Sequence, residues 1–395
     1  MSAPAAAATA PAEGAETKVE NFADVTLTKY KLAGEVSAKA IKTVIAAIKE
    51  GATVIDLCQL GDKAVEEGTA AVYKDKKVLK GLAFPTTVSI NNIVCNYAPL
   101  ATDEAASQAL KAGDVVKIQL GAHIDGLATV NAETVVVGAT VDKPVTGRTA
   151  DAIKAAHVAA DVAIRLMKPG ALNHDISKQV EAAIAEFGVK AIEGMQTNQF
   201  NKNEIDGKKK IVLNAEPSSR PDAAKLEEDE VYGLDISVTT GPDGKTKSDE
   251  SRTTIYKKTN STYMLKMATS RKVFSEIQKK AGTFPFNVRS LDDQRRARMG
   301  VKECANHGLV VPFNVLHDGT PGAVTAQVFL TVAVNAKGAI RLTPAPTWYS
   351  AQVVKSEKEV QDDAIKAILA TSVRSTNKKK NKSAKKDDAA APASA

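Results

Sequence analysis

Cysteine is scarce: Cys58, Cys95 and Cys304 are the only three in 395 residues, and no two form a C-x-x-C pair. An odd, dispersed set excludes a disulfide framework and offers no structural zinc site, so a reducing compartment, cytosol or nucleus, is expected. Long hydrophobic runs are missing too. No stretch approaches the roughly 18 uninterrupted apolar residues of a membrane span, so no membrane association is expected. Residues 1–20 are nearly all Ala, Pro, Thr and Glu, with no arginine and no apolar run of signal-peptide length. They read as a disordered tail rather than a targeting segment. No glycine-rich loop cradles a phosphate, so no nucleotide cofactor is implied, and no cysteine or serine sits in a nucleophile motif. The five histidines, His123, His157, His174, His307 and His317, include no pair at the i, i+4 spacing of a helical metal site. Packing or surface roles are expected for them.

What the chain does hold is 44% apolar residues, enough for a sizeable core, and a formal charge of +7. Much of the basic excess is terminal. From Arg374 to Lys386 there are seven basic residues and no acidic one, set among Ser, Thr, Asn and Ala that build no core. Residues 371–395 are therefore read as a disordered Lys-rich tail. Its Lys378, Lys379, Lys380, Lys382, Lys385 and Lys386 suit a solvated end, an import signal or a phosphate-binding arm.

Apolar positions Ile41, Val44, Ile45 and Ile48 predict a helix ending near Glu50-Gly51, with a second from Asp56 to about Glu67. An Ala-rich helix from about Ala150 to Lys168-Pro169-Gly170 and another carrying Ile176, Val180 and Ile184 repeat the arrangement. The string Lys49-x-Gly51-Ala52-x-x-x-Asp56-Leu57 matches Lys168-x-Gly170-Ala171-x-x-x-Asp175-Ile176. A duplicated helix pair explains the match, although two C-caps followed by N-caps read alike. β-Rich segments follow each pair: Ala83–Val94 and Val115–Gly138, then Glu230–Thr240 and Thr325–Val334. Helices and strands in blocks predict an α+β domain with helices on one face of a mainly antiparallel sheet. Residues 252–315 read as a helical insertion in the second half, rich in base: Lys257, Lys258, Lys266, Arg271, Lys272, Lys279, Lys280, Arg289, Arg295, Arg296 and Arg298. A last helix is expected over Glu357–Ala370.

Several strings converge on one family. Gly81-Leu82-Ala83-Phe84-Pro85-Thr86 with Asn91-Asn92, Gly113-Asp114-Val115-Val116-Lys117-Ile118, Glu230-Val231-Tyr232 and Ala326-Gln327 resemble, in order and spacing, the signposts of type II methionine aminopeptidases. The resemblance implies the pseudo-symmetric pita-bread fold over residues 21–370, carrying the type II insertion. It also implies a two-metal centre held by two Asp, one His and two Glu, which polarises a carbonyl and supplies hydroxide. Carried over one at a time, those positions fall on Gln119, Val130, Asn198, Asp235 and Phe329, and a substrate-contacting His falls on Asn96. Asp235 alone remains both anionic and hard. The resemblance thus implies a pita-bread protein with no metal, no cofactor and no peptidase activity.

That pattern of losses belongs to one branch. Thr253-Thr254-Ile255-Tyr256-Lys257, Lys266-Met267-x-Thr269-Ser270-Arg271, Ala297-Arg298-Met299-Gly300-Val301 and Pro312-Phe313-Asn314-Val315-Leu316 are similar to the proliferation-associated, ErbB-binding family, called curved-DNA-binding proteins in fungi. This resemblance implies an inactive scaffold, expected as a monomer. Its partners would be the large ribosomal subunit near the nascent-chain exit, rRNA and other structured RNA, with DNA and nascent-chain factors as further ones. It also implies a cytoplasmic protein with nuclear and nucleolar pools and a role in ribosome biogenesis or translation. Phosphate contact is expected from Lys208, Lys209, Lys210, Lys257, Lys258, Arg271, Lys272, Lys279, Lys280, Arg295, Arg296, Arg298 and the tail lysines. The Leu-x-x-Leu-Leu helix of animal members corresponds here to Ile365-Lys366-Ala367-Ile368-Leu369, so animal signalling partners do not transfer. Two rival readings stand beside this one. One is a residual single-metal aminopeptidase using Asp235 with Asn131 or His123; the other is a DNA-binding, transcription-linked factor.

Overall fold

Two helix pairs repeat in space as they do in the sequence. A computed structural model describes residues 24–74, 77–248 and 251–374, so the expectations for residues 1–20 and for Lys378–Lys386 lie outside the described residues. The first pair is α1 (Asp24–Ala47) and α2 (Val54–Ala71), the second α3 (Gly147–Leu166) and α4 (Asn173–Ala185). Between the helices of each pair sits a glycine in the left-handed region, Gly51 at φ +85° and Gly170 at φ +87°. Gly51 donates its N–H to the Leu110 carbonyl at 2.9 Å and Gly170 to that of Leu226 at 2.8 Å. The Ala52 and Ala171 carbonyls accept from Leu110 and Leu226 in return, at 2.8 and 2.9 Å. Two unrelated caps would not share this paired hydrogen bonding with an incoming loop segment, so the duplication reading holds.

The first half continues through β1 (Lys80–Ile90), β2 (Ile93–Cys95), β3 (Val115–Ile124) and β4 (Leu127–Val136). The second half supplies β5 (Lys190–Ala191), β6 (Gln196–Phe200), β7 (Lys210–Val212) and β8 (Val231–Thr239). The expected segment Ala83–Val94 breaks at Asn91, whose φ of +51° turns the chain. Its side-chain oxygen accepts the Val115 N–H at 2.8 Å and its amide donates to Asp114 at 2.9 Å. Asp125 and Gly126, at φ +57° and +77°, close the β3–β4 hairpin as a primed turn.

The insertion follows β9 (Thr246–Lys247) and is not purely helical. It runs β10 (Ile255–Lys258), α5 (Ala268–Lys280), β11 (Phe286–Asn287), α6 (Gln294–Asn306) and β12 (Val310–Phe313), and its strands form a sheet in the order β11-β10-β12. Strands of two to four residues are too short to show a period of two, so only the helices were visible in the sequence. Val273 and Ile277 of α5 pack with Ala297, Val301 and Cys304 of α6 in a separate small core. Gly300 allows this approach, since a Cβ there would lie 2.8 Å from the Val273 side chain. Arg289 anchors the insertion to the first half: its Nε and Nη2 donate to Asp62 Oδ2 at 2.9 and 2.6 Å.

After β13 (Leu316–Asp318) the chain adds β14 (Thr325–Ala333), β15 (Ile340–Arg341) and α7 (Asp363–Ala370). The last helix starts later than expected because Asp362 caps it, accepting the Ala364 and Ile365 N–H groups. Ile365 is fully buried, and Ile368 and Leu369 pack beside it, so this segment is covered by the protein's own core.

The main sheet has the order β1-β3-β4-β14-β8-β6-β7, with β5 on β8 and β15 on β14, and every pairing is antiparallel. Alternation gives it two faces. Ile118 and Leu120 of β3, Leu234 and Ile236 of β8, and Val328 and Leu330 of β14 join the helix cores. Gln119, Asp235, Gln327 and Phe329 therefore point the other way. Among the described residues no helix is long and apolar enough to cross a membrane.

Candidate functional site

The helix-free face of the sheet carries a cavity of about 260 Å³ where β3, β4, β6, β8 and β14 converge, and Gln119, Val130, Asn198, Asp235, Phe329 and Asn96 all line it. Six positions read from separate motifs are thus gathered in one place by the strand register. Asp235 lies opposite Phe329 across β8–β14, Gln119 opposite Ala132 across β3–β4, and Asn198 opposite Gly233 across β6–β8. Gly233 must lack a side chain, because a Cβ would fall 2.4 Å from the Phe200 ring and 2.7 Å from the Phe329 ring. Those two rings meet with centroids 6.5 Å apart.

The polar floor is wired by one amide. Gln327 Nε2 donates to Gln119 Oε1 at 3.1 Å and to Asp235 Oδ1 at 3.0 Å, and Ser237 Oγ donates to the same carboxylate oxygen at 3.1 Å. Burial pushes the Asp235 carboxyl up to about 6 from an ordinary 3.8, partly offset by the Gln327 and Ser237 hydrogen bonds. The neighbouring Cys95 thiol is pushed up to about 12, first by burial and then by the Asp235 charge, so it stays protonated.

A carboxyl whose folded value exceeds its unfolded one favours the protonated form in the fold. Its contribution therefore worsens as pH rises from below 3.8 through about 6. A shift of this size corresponds to about 3 kcal/mol once the group is charged. Asp235→Asn keeps an acceptor for Gln327 and Ser237 while removing the charge. It is expected to stabilise the fold by about 1–3 kcal/mol at pH 8, with the gain vanishing by pH 4. Denaturant unfolding at both pH values measures it, and a variant less stable than the parent at pH 8 contradicts it.

A dinuclear metal centre needs several hard anionic or imidazole donors. The cavity offers one carboxylate from these positions, two carboxamides, an isopropyl group and a phenyl ring, a donor set that does not fit two metals. No group of three or more His, Cys, Asp or Glu able to hold a metal ion occurs among the described residues. The ligands invoked for a single-metal reading do not come together. Asn131 pairs with Leu120 and so faces the helices, and His123 stacks on Phe284 of the insertion at 4.5 Å; neither lines the Asp235 cavity. Burial lowers His123 to about 4 and His157 to about 3, so both are neutral at physiological pH. His157 stacks on Tyr349 and His307 on Tyr263, each at 3.8 Å.

The basic residues divide by their partners. Lys209 pairs with Glu230 and Glu227, Lys257 with Asp206, Lys280 with Glu276 and Asp292, and Arg296 with Asp293. Lys210 donates to Gln196 Oε1 at 3.0 Å, Lys258 to the Thr259 carbonyl at 3.1 Å, and Arg271 to the Leu265 and Lys266 carbonyls at 2.9 and 2.8 Å. Lys208, Lys272 and Lys279 project into solvent, the last two from one face of α5 and Lys208 from the loop before β7. Arg289 is buried and serves the fold rather than the surface. Arg295 and Arg298 behave differently. With Lys302 they follow an i, i+3, i+7 spacing on one face of α6 and line a groove of about 590 Å³ that also holds Arg252, Tyr256 and Met299. Among the described residues no acidic side chain lines that groove, although Arg252 pairs with Asp103 at 2.5 Å. Arg252 and Lys302 were missed in the sequence, although the spacing of Lys302 was legible there.

Comparison with known proteins finds the same fold. Residues 28–204 match metallopeptidase family M24. The curved DNA-binding protein of Schizosaccharomyces pombe is 45% identical over 360 residues, 90% of this chain and 93% of that protein. The solved structure of a thermophilic Arx1 has a TM-score of 0.84 at 35% identity, covering 89% of this chain and 99% of that one. Methionine aminopeptidase from Thermotoga maritima gives a TM-score of 0.55 at 18% identity over 82% of this chain and 98% of its own, a likeness of fold alone.

Proposed function

Because the chain belongs to the family of curved-DNA-binding, ErbB-binding and proliferation-associated proteins, built on the pita-bread fold of methionine aminopeptidases, we propose that it is a peptidase-inactive scaffold that docks on the large ribosomal subunit near the nascent-chain exit. In this reading Gln119, Val130, Asn198, Asp235 and Phe329 are the vestiges of a two-metal centre, and Asn96 of a substrate contact. The observation that carries it is that all six still line one cavity while their chemistry no longer suits metal. The fold kept its site and exchanged its donors, which is the trace expected when a scaffold is retained for another task.

The α6 groove supplies the contact to rRNA and other structured RNA. Three cations on one helical face, without an ion pair among the described residues and beside an aromatic ring, suit a phosphate backbone with bases stacked nearby. Contact of this kind is largely sequence-blind and weakens steeply with salt. The protein works in the cytoplasm, with a nuclear and nucleolar pool tied to ribosome assembly.

Two measurements separate this from its rivals. After equilibration with excess Co²⁺ or Mn²⁺ and desalting, elemental analysis is expected to find well under one metal per chain, with no turnover of peptides bearing N-terminal methionine. Stoichiometric metal with turnover would overturn the scaffold reading. The name of the S. pombe relative, a curved DNA-binding protein, favours a second reading, duplex DNA binding, which uses the same cations. Competition at equal salt ranks the two, and large subunits are expected to displace duplex DNA.

A further inference from the structure

We infer that Thr102 is a phosphorylation site, and that a phosphate on it closes the α6 groove by pairing with Arg298. The inference rests on the reading of that groove as an RNA contact and supplies its regulation.

Three features of the loop between β2 and β3 carry it. The first is position. Thr102 is exposed in the turn over residues 101–103, and its Oγ1 accepts from Arg298 Nη1 at 3.4 Å. That is longer than the ~2.7–3.2 Å of an ordinary N–H···O bond, so the hydroxyl serves the guanidinium poorly. A phosphoryl group on the same oxygen sets strong anionic acceptors against the planar fork of the arginine. The second is anchoring. Asp103 Oδ2 accepts the Leu100 N–H at 3.0 Å and its Oδ1 accepts from Arg252 Nη1 at 2.5 Å, and Leu100 and Arg252 both line the groove. The turn is therefore pinned to the rim. From this loop Asp103 already neutralises Arg252, and a phosphate one residue earlier extends the same device to the cations of α6.

The third is charge. Arg295, Arg298 and Lys302 line the groove without an ion pair among the described residues. A phosphate carries about −1.5 to −2 at pH 7 and so offsets half or more of their charge while occupying the nearest of them. Asp103 and Glu104 directly follow Thr102, a pattern suited to a protein kinase that reads acidic residues after its target. In the transfer, Thr102 Oγ1 bonds to the γ-phosphorus of a nucleoside triphosphate and the bond from that phosphorus to the bridging oxygen breaks. The nucleoside diphosphate leaves, and the hydroxyl proton passes to the base of the kinase.

The full chain, incubated with ATP and a kinase selective for acidic sequences and mapped by mass spectrometry, is expected to carry phosphate on Thr102. A chain with phosphoserine encoded at position 102 is expected to bind a structured RNA hairpin at least about tenfold more weakly at low salt than Thr102→Ser does, with a salt dependence flatter by about one to two units. Phosphorus NMR titration reads the pairing without RNA. The second ionisation of the phosphate, about 6 when free, is expected to fall, and Arg298→Gln to return it. A Thr102 left unmodified overturns the site. Hairpin binding unchanged by the phosphate, or a titration indifferent to Arg298→Gln, overturns the closure. If the unmodified chain binds no hairpin, the RNA reading of the groove has failed, and the titration alone then upholds or overturns the pairing of the phosphate with Arg298.

Discussion

Asp62→Ala is expected to destabilise the folded chain by about 3–5 kcal/mol, the cost of stripping a buried charge of its partner. The Arg289 side chain is 6% exposed, and two of its N–H groups rest on Asp62 Oδ2, with a third bond from Nη2 to the Thr86 carbonyl at 2.8 Å. Asp62 Oδ1 also accepts the Thr86 N–H at 2.7 Å, so alanine orphans a backbone donor as well as a guanidinium. Arg289 Nη1 already lacks a hydrogen-bond partner, leaving no second anchor to take over. Urea unfolding measures the loss, and a change under about 1 kcal/mol would show that the pair is dispensable. Replacing both residues together, Asp62→Leu with Arg289→Met, is expected to restore much of the stability, since the charge and its partner leave as a unit. This pair joins α2 of the first half to the insertion and so fixes how the α6 groove is presented.

Reversing that groove, with Arg295→Glu, Arg298→Glu and Lys302→Glu combined, is expected to weaken binding of a structured RNA hairpin by at least about 100-fold at low salt. It is also expected to flatten the dependence of log affinity on log salt by about one unit per residue changed. All three side chains are exposed, so thermal unfolding should stay close to that of the parent. The matched control is Lys209→Gln, Lys257→Gln and Lys280→Gln, residues whose charges are spent on internal ion pairs. Filter binding over a salt series compares them. If the control loses as much as the groove variant, contact is spread over the whole basic surface and the groove has no special part.

Much of this was visible in the sequence, for reasons that differ by element. Periods of 3.6 and 2 exposed the long helices and the main strands, and the shared offset of Gly51 and Gly170 exposed the duplication. The site was legible because its members sit in separate motifs on β3, β4, β8 and β14, which the fold brings to one face. The direction of Asn131 was legible too, since a neighbour of the cavity-facing Val130 on a strand points the opposite way. The β6–β7 hairpin was not, because Gln196–Phe200 and Lys210–Val212 are short and largely polar. Which cations stay free was hidden for another reason: neutralisation is decided by distant partners. Asp206 is 51 residues from Lys257, and Asp62 is 227 from Arg289. On α5 and α6 part of the answer was local: Glu276 lies one turn from Lys280, and helical spacing separates Arg295, Arg298 and Lys302 from Arg296.

The central claim is docking on the ribosome, and co-sedimentation of the full chain with purified large subunits across a salt series tests it most directly. A variant lacking residues 374–395, run alongside, divides the contact between groove and tail. The expected result is pelleting at low salt and progressive release as salt rises, with the shortened chain retaining the interaction at reduced strength. A protein that stays in the supernatant at every salt concentration, or that pellets to the same extent at all of them, would contradict the claim.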